Sequence, residues 1–298
     1  MDLPEGLTTR PLNLADAAAV TAVMAAEELA YVGHVGIEEA DIVADWSRPS
    51  CELEKGTVGV FDGDQMLGYA DVSIPGHSDA SVHPDQHGRG IGSWLALWMQ
   101  ERARELGQDV IGMPVPAGSP GEKLMTDLGY ERRWSSWSLV LPEGEQIPSR
   151  DLPDGYRLAV AESDADREGA WHVTEDAFLE WSDRPKDPYD DWAARVVNRP
   201  GFEPWMLRVV KDPAGEVVGA VSIQLADDTG YVDKVAVRKD QRGRGLAQAL
   251  LVDAFAAARE HGAQRSELST DSRTGALDLY LRIGMVVRDN WVNLGKRL

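Results

Sequence analysis

Apolar positions recur along this chain in two rhythms, every second residue and every third or fourth, and their order of appearance occurs twice. Residues 7–12 read as a strand, and Asp16 precedes an alanine-rich helix over 17–29. A second helix, over 37–46, stops at Arg48-Pro49. Alternation returns at 57–61 and 66–74 on either side of Asp62-Gly63-Asp64, which is hairpin chemistry. Then come a helix carrying Trp94, Leu95, Leu97 and Trp98, a strand at 110–115, a helix at 121–128, and a closing strand through Trp134, Trp137 and Leu139. The second half predicts the same series. It has a strand at 156–160, helices at 164–178 and 189–197, and a hairpin of 205–211 and 217–225. A strand at 231–237 leads into a helix with Leu246, Ala247, Leu250, Leu251, Ala254, Phe255 and Ala258 on one face. A strand at 266–269 and a capped helix over 271–285 follow.

The repetition holds residue by residue. Val82 matches Val237 and Gly107 matches Gly262 at one spacing (237 − 82 = 155 and 262 − 107 = 155), with Asp85/Asp240, Gly90/Gly245 and Gly129/Gly284 in step. Asp2-Leu3-Pro4-Glu5-Gly6 and Asp151-Leu152-Pro153-Asp154-Gly155 mark the two beginnings. So long a period is a duplicated domain, not a solenoid. The expected organisation is a first domain over 1–141, a polar, proline-bounded linker over 142–150, and a second domain over 151–298. Strands interleaved with helices place both in the α/β class.

Composition narrows the partners. The 298 residues, 43% hydrophobic, suffice for two cores. A net charge of −20 argues against nucleic acid or an anionic membrane as partner. Basic residues concentrate in the second half, where the more cationic glycine-rich stretch also lies. The single cysteine, Cys51, excludes an internal disulfide and suits a reducing cytoplasm; beside Glu52 and Glu54 its thiolate is disfavoured. No apolar run reaches membrane-spanning length, and the acidic N-terminus carries no apolar leader segment. His83 and His87 flank Pro84 with no helix to align them, so no metal site is expected.

The chemistry concentrates in Gln241-Arg242-Gly243-Arg244-Gly245, between a strand and a helix. First-turn N–H groups lack intrahelical acceptors, the helix dipole favours an anion, and glycine lets a phosphate approach the backbone. A dinucleotide fingerprint needs a third glycine where Gln248 stands, and a Walker loop needs Gly-Lys-Ser/Thr. Arg242-x-x-Gly245-x-Ala247 resembles instead the coenzyme A loop of the GNAT superfamily of N-acetyltransferases. A second stretch, Gly275-Ala276, Leu279-Tyr280 and Gly284-Met285, resembles that family's C-terminal motif, with Ser272 where asparagine is usual. The likeness covers both halves, and the tandem arrangement resembles the mycothiol synthase type of GNAT protein; architecture alone implies no particular acceptor.

The resemblance implies two tandem GNAT domains, each a mixed, mostly antiparallel sheet flanked by helices. It implies acetyl-CoA as co-substrate, a primary amine of a small molecule as acceptor, and a monomer or homodimer. Backbone of Arg242, Gly243, Arg244, Gly245, Leu246 and Ala247 would wrap the pyrophosphate. Val235, Ala236 and Val237 would serve the thioester and pantetheine arm, and Ser272 would also contact the coenzyme. Tyr280 matches the family's proton donor to the leaving thiolate; its other reading is an aromatic packed on the sheet. Asp233 stands where family members carry a general base, or else pairs with Lys234 or Arg238. Glu180, Trp181, Ser182, Asp183, Trp192 and Trp291 are candidates to line an acceptor pocket, or ordinary core and solvated charge. The first copy has Met125 and Ser78 at the positions of Tyr280 and Asp233, and His87 at that of Arg242, so it is expected to be catalytically silent. A coenzyme-binding or structural module without catalysis is the alternative.

Overall fold

The computed structural model of the chain describes residues 2–74, 76–182 and 184–298. It divides into two compact units, Met1–Ser136 with Asp289–Leu298, and Trp137–Arg288. In the first, β1 (Thr8–Arg10) leads to α1 (Ala17–Tyr31), α2 (Glu39–Trp46) and a single turn, α3 (Leu53–Gly56). The hairpin strands β2 (Thr57–Asp62) and β3 (Gln65–Ile74) follow, then β4 (His77–Val82), α4 (Ile91–Glu105), β5 (Val110–Pro116), α5 (Pro120–Asp127) and β6 (Glu131–Val140). Strands β1 to β4 form an antiparallel sheet in chain order. One face packs on α4 through Val60, Leu67, Ile91, Leu95 and Met99; the other packs on α1 and α2 through Leu12, Val20, Trp46 and Tyr69.

The second unit runs through β7 (Arg157–Val160), α6 (Asp164–Phe178), α7 (Tyr189–Arg195), β8 (Leu207–Lys211), β9 (Val217–Ala226), β10 (Thr229–Val237), α8 (Leu246–Glu260), β11 (Arg265–Asp271) and α9 (Leu277–Arg282). The last strand, β12, spans Val286–Arg297. Strands β7 to β10 pair antiparallel and β10 pairs parallel with β11. Helix α8 buries Leu250, Leu251, Ala254 and Phe255 against Val218, Val221, Ile223 and Val232. On the order of 2 kcal/mol for each fully buried aliphatic side chain makes this face the anchor of the unit.

Two strands depart from the sequence repeat. Residues 137–140, from the end of the first copy, belong to the second unit, where β6 neighbours β11 and the Leu141 N–H donates to Ser266 O at 2.9 Å. Residues 289–298, from the end of the second copy, belong to the first unit, where Trp291–Arg297 pairs antiparallel with β5. Each copy thus lends its closing strand to fill a β edge that would otherwise be unpaired.

The helix expected over 271–285 is shorter. Residues 271–276 form a turn in which Asp271 accepts from the Arg273 N–H at 2.8 Å, Thr274 Oγ1 accepts from the Ala276 N–H at 3.1 Å, and Gly275 has φ +65. Such side chains offer the backbone local partners that compete with helix formation.

Candidate active site

In the second unit β10 and β11 run parallel only from Thr229↔Arg265 to Val232↔Leu268. Beyond that point β10 continues along β9 to Val237↔Gly219, so the two parallel strands separate as a fork. The register between β9 and β10 shifts between Val232 and Lys234, a bulge centred on Asp233. Bulges re-aim side chains and leave backbone groups unpaired. Here the bulge interrupts the two-residue alternation of β10 at Asp233. Val232, Val235 and Val237 all pack on the α8 core, whereas Ala236 packs on Val173 and Ala177 of α6.

The strand runs into a short 3-10 turn, Lys239–Gln241, and then the glycine loop. Gly243 (φ +76) and Gly245 (φ +82) are left-handed, a conformation strained for other residues. A Cβ on Gly243 would meet open space. Gly245 is the N-cap of α8 and makes no side-chain cap bond, so the first-turn N–H groups remain available to a ligand. The loop therefore fits a phosphate group.

Arg242 has a different occupation from the one its charge suggests. Its Nε donates to Val237 O at 3.1 Å, and its two terminal nitrogens donate to Glu180 at 3.0 and 2.6 Å. The guanidinium holds the Glu180 carboxyl below its ordinary range. Arg150 is the residue that the motif did not reveal. Its Cδ and Nε lie against Gly245, and Gln248 Nε2 anchors its stretch by donating to Pro148 O at 2.7 Å. The signal in the sequence was only the basic excess of the second half.

Asp233 accepts from Lys234 Nζ at 3.3 Å and from Ser222 Oγ at 3.4 Å, and is about one-third exposed. Tyr280, on α9, is 7% exposed and belongs to the same apolar cluster as Val237, Leu246 and Leu268. Burial pushes its phenol up to about 12, which keeps the hydroxyl protonated at neutral pH. Ser272 sits in the turn after β11. Of the candidate acceptor residues, Trp181 stacks edge-on with Phe178 and lies 5.7 Å from the Arg242 guanidinium. Trp192 is core, packed with Leu207 and Val209. Trp291 belongs to the first unit, opposite Pro116, because β12 is exchanged. Asp183 lies outside the described residues.

The first unit repeats the loop geometry. Gly88 (φ +76) and Gly90 (φ +87) precede α4, and His87 Nε2 bonds Val82 O at 2.9 Å. This reproduces the Arg242–Val237 bond at matched positions, with Tyr31 Oη bonding the other imidazole nitrogen at 2.9 Å. Met125 is buried and Ser78 Oγ donates to Gly112 O at 3.1 Å, so neither offers an acid or base to a ligand.

A splayed pair of parallel strands, a strand bulge and a glycine loop capping a long helix together suit a phosphate-bearing co-substrate. Residues 167–285, within the second unit, match the acetyltransferase (GNAT) family, so that unit carries an acyltransferase domain of this kind. It is similar to the mycothiol acetyltransferases of Thermobispora bispora (27% identical over 238 residues, 76% of this chain and 78% of that one) and Propionibacterium freudenreichii (29%, covering 76% and 72%). Among solved structures it resembles a GCN5-related N-acetyltransferase from Sphaerobacter thermophilus, with TM-score 0.76 and 26% identity over 99% of this chain and 97% of that one. A tandem GNAT protein from the clavulanic acid pathway shares the fold at TM-score 0.74 and 18% identity, over 98% of both chains. Among the described residues no group of His, Cys, Asp and Glu is arranged to hold a metal, and no helix is long and apolar enough to cross a membrane.

Proposed function

We propose that the second unit is the catalytic one and moves an acetyl group from acetyl-CoA directly to a primary amine of a small molecule. The observation that carries this reading is the fork at Val232, with Asp233 on its bulge and the glycine loop following the strand; Tyr280, in the same apolar cluster as Val237, supports it. Backbone of 242–247 receives the pyrophosphate, with Arg150 supplying charge over Gly245 and Arg242 clamping the loop to the strand end. Backbone of Val235, Ala236 and Val237 lines the thioester arm, and Ser272 flanks it from the turn. Asp233 takes the proton from the incoming ammonium, and Tyr280 supplies one to the departing sulfur. Because its acidity is so weakened by burial, Tyr280 holds that proton until sulfur gathers negative charge. Because the relatives are named mycothiol acetyltransferases, an amine related to mycothiol is the first acceptor to test.

Thiol release from acetyl-CoA, followed with a panel of primary amines, tests the reading. Tyr280→Phe keeps the ring and removes the proton donor, so kcat should fall ~10²–10⁴-fold with acetyl-CoA affinity nearly unchanged. Full turnover in that variant would remove Tyr280 from the chemistry.

A further inference from the structure

Helix α6 ends beside both the bulge and the glycine loop of the second unit. Its last residue, Phe178, meets Trp181 edge-on, and the Lys234 ammonium that bonds Asp233 lies 5.5 Å from the Phe178 ring centre. Two residues further on, Glu180 takes both terminal nitrogens of Arg242, whose Nε holds Val237 O at the end of β10. We propose that Glu180 is a positioning residue for acetyl transfer. Through Arg242 it ties residues 178–181 to the coenzyme loop, and so fixes the Asp233–Lys234 pair relative to bound coenzyme. This rests on the reading of the second unit as the catalytic one.

The contacts close a ring that begins and ends on one strand. From Asp233 it passes by Lys234 to Phe178, along the chain to Glu180, across to Arg242, and back to β10 at Val237. Opening it at Glu180 frees the turn Leu179–Trp181 from the loop. Glu180 suits this task better than that of holding an acceptor ammonium. Its two oxygens accept from Arg242 at 2.6 and 3.0 Å, a two-point geometry that fixes orientation as well as distance. Lys239 Nζ stands 3.7 Å from the same carboxylate, so its charge is already met from the loop side.

An isolated surface ion pair contributes little by itself. The first unit shows why this one is more than that, because it spans the same gap with other chemistry. Tyr31, the last residue of α1, bonds His87 at 2.9 Å and stacks on it, the rings 5.7 Å apart and 7° from parallel. Two unlike pairs join the end of the first helix to the same loop position, which identifies the join as what each copy keeps. The second copy extends it to a carboxylate at a strand bulge. In the first, Ser78 stands at the position of Asp233 and bonds Gly112 O instead.

Calorimetric titration with acetyl-CoA and fluorine spectra of the full chain labelled with 5-fluorotryptophan test this, the Trp181 line being assigned by its loss in Trp181→Phe. Glu180→Gln keeps the side-chain shape and removes its charge. It should bind acetyl-CoA within about threefold of the unsubstituted chain, because Val237 O still holds Arg242. Saturating acetyl-CoA should move the Trp181 line in the unsubstituted chain and leave it in place in Glu180→Gln. Turnover of the fastest primary amine of the thiol-release panel, at saturating acetyl-CoA, should fall about three- to tenfold in Glu180→Gln. Arg242→His should fall alike, and the double variant no further, since each substitution opens the same link. A Trp181 line that ignores acetyl-CoA in the unsubstituted chain, one that still follows it in Glu180→Gln, or additive losses in the double variant would each overturn the proposal. Failure of the unsubstituted chain to bind acetyl-CoA would overturn the catalytic reading with it.

Discussion

Arg242 and His87 stand at matched positions and give the same bond, to the carbonyl that ends the strand before each glycine loop. Two different side chains making one contact identify the contact, not the charge, as what the position supplies. Arg242→His should therefore retain most acetyl-CoA affinity, whereas Arg242→Ala should lose about 1 kcal/mol or more through a loosened loop. Isothermal titration of both variants decides it, and equal losses would return the role to charge. Tyr280 leads to a pH expectation: with the phenol at about 12, it causes no alkaline fall in kcat until well above neutrality. Glu27 leads to another. Its folded value of about 7 lies above the ordinary 4.5, so between these values the folded state binds more protons than the unfolded one. Its contribution to stability is complete below 4.5 and is lost as pH rises through about 7. Glu27→Gln should flatten the decline in unfolding midpoint between pH 4.5 and about 7, as read by thermal melts across that range. An unchanged slope would dissociate Glu27 from the titration.

At the scale of elements, α8 and its loop act together. The sequence displayed this unit because glycine spacing and helical periodicity are local signals. Gly245→Ala asks a β-carbon to adopt φ +82 and to enter the space held by the Arg150 side chain. Left-handed backbone costs roughly 1–2 kcal/mol for a non-glycine residue. The variant should melt lower and bind acetyl-CoA more weakly, with Gly243→Ala, open to solvent, affected less in binding. Similar binding losses in the two would show that backbone strain alone matters. Other elements were harder to read. The bulge at Asp233 left no trace in a run of alternating residues, and the shortened α9 reflects side-chain bonds around Asp271 and Thr274.

At the scale of the whole molecule, duplication and strand exchange pull in different directions. The first unit depends on the last ten residues of the chain, since Val292 and Leu294 are 2% and 3% exposed in its core beside Ile111 and Met113. Losing two such side chains costs roughly 3–6 kcal/mol before the β5 ladder is counted. That is comparable with a typical domain's entire stability of about 5–15 kcal/mol. Truncation after Arg288 should leave residues 1–136 open to protease and their amides fast to exchange. Protection equal to that of the full chain would show that β5 does not need its partner.

By itself the sequence determined the duplication, the α/β class and the two glycine loops, because each rests on periodicity or on motifs of a few neighbouring residues. Only the tertiary structure decided what Arg242 and Glu180 do together, where Arg150 lies, that Trp192 is core, and that Trp291 serves the first unit. Those depend on which distant segments meet at a strand edge or a helix end, and side chains separated by tens of residues carry no local mark of their partners. Glu27 and Asp79 belong with these. They lie on a helix and a strand far apart in the chain, and only the fold puts both on the wall of one cavity.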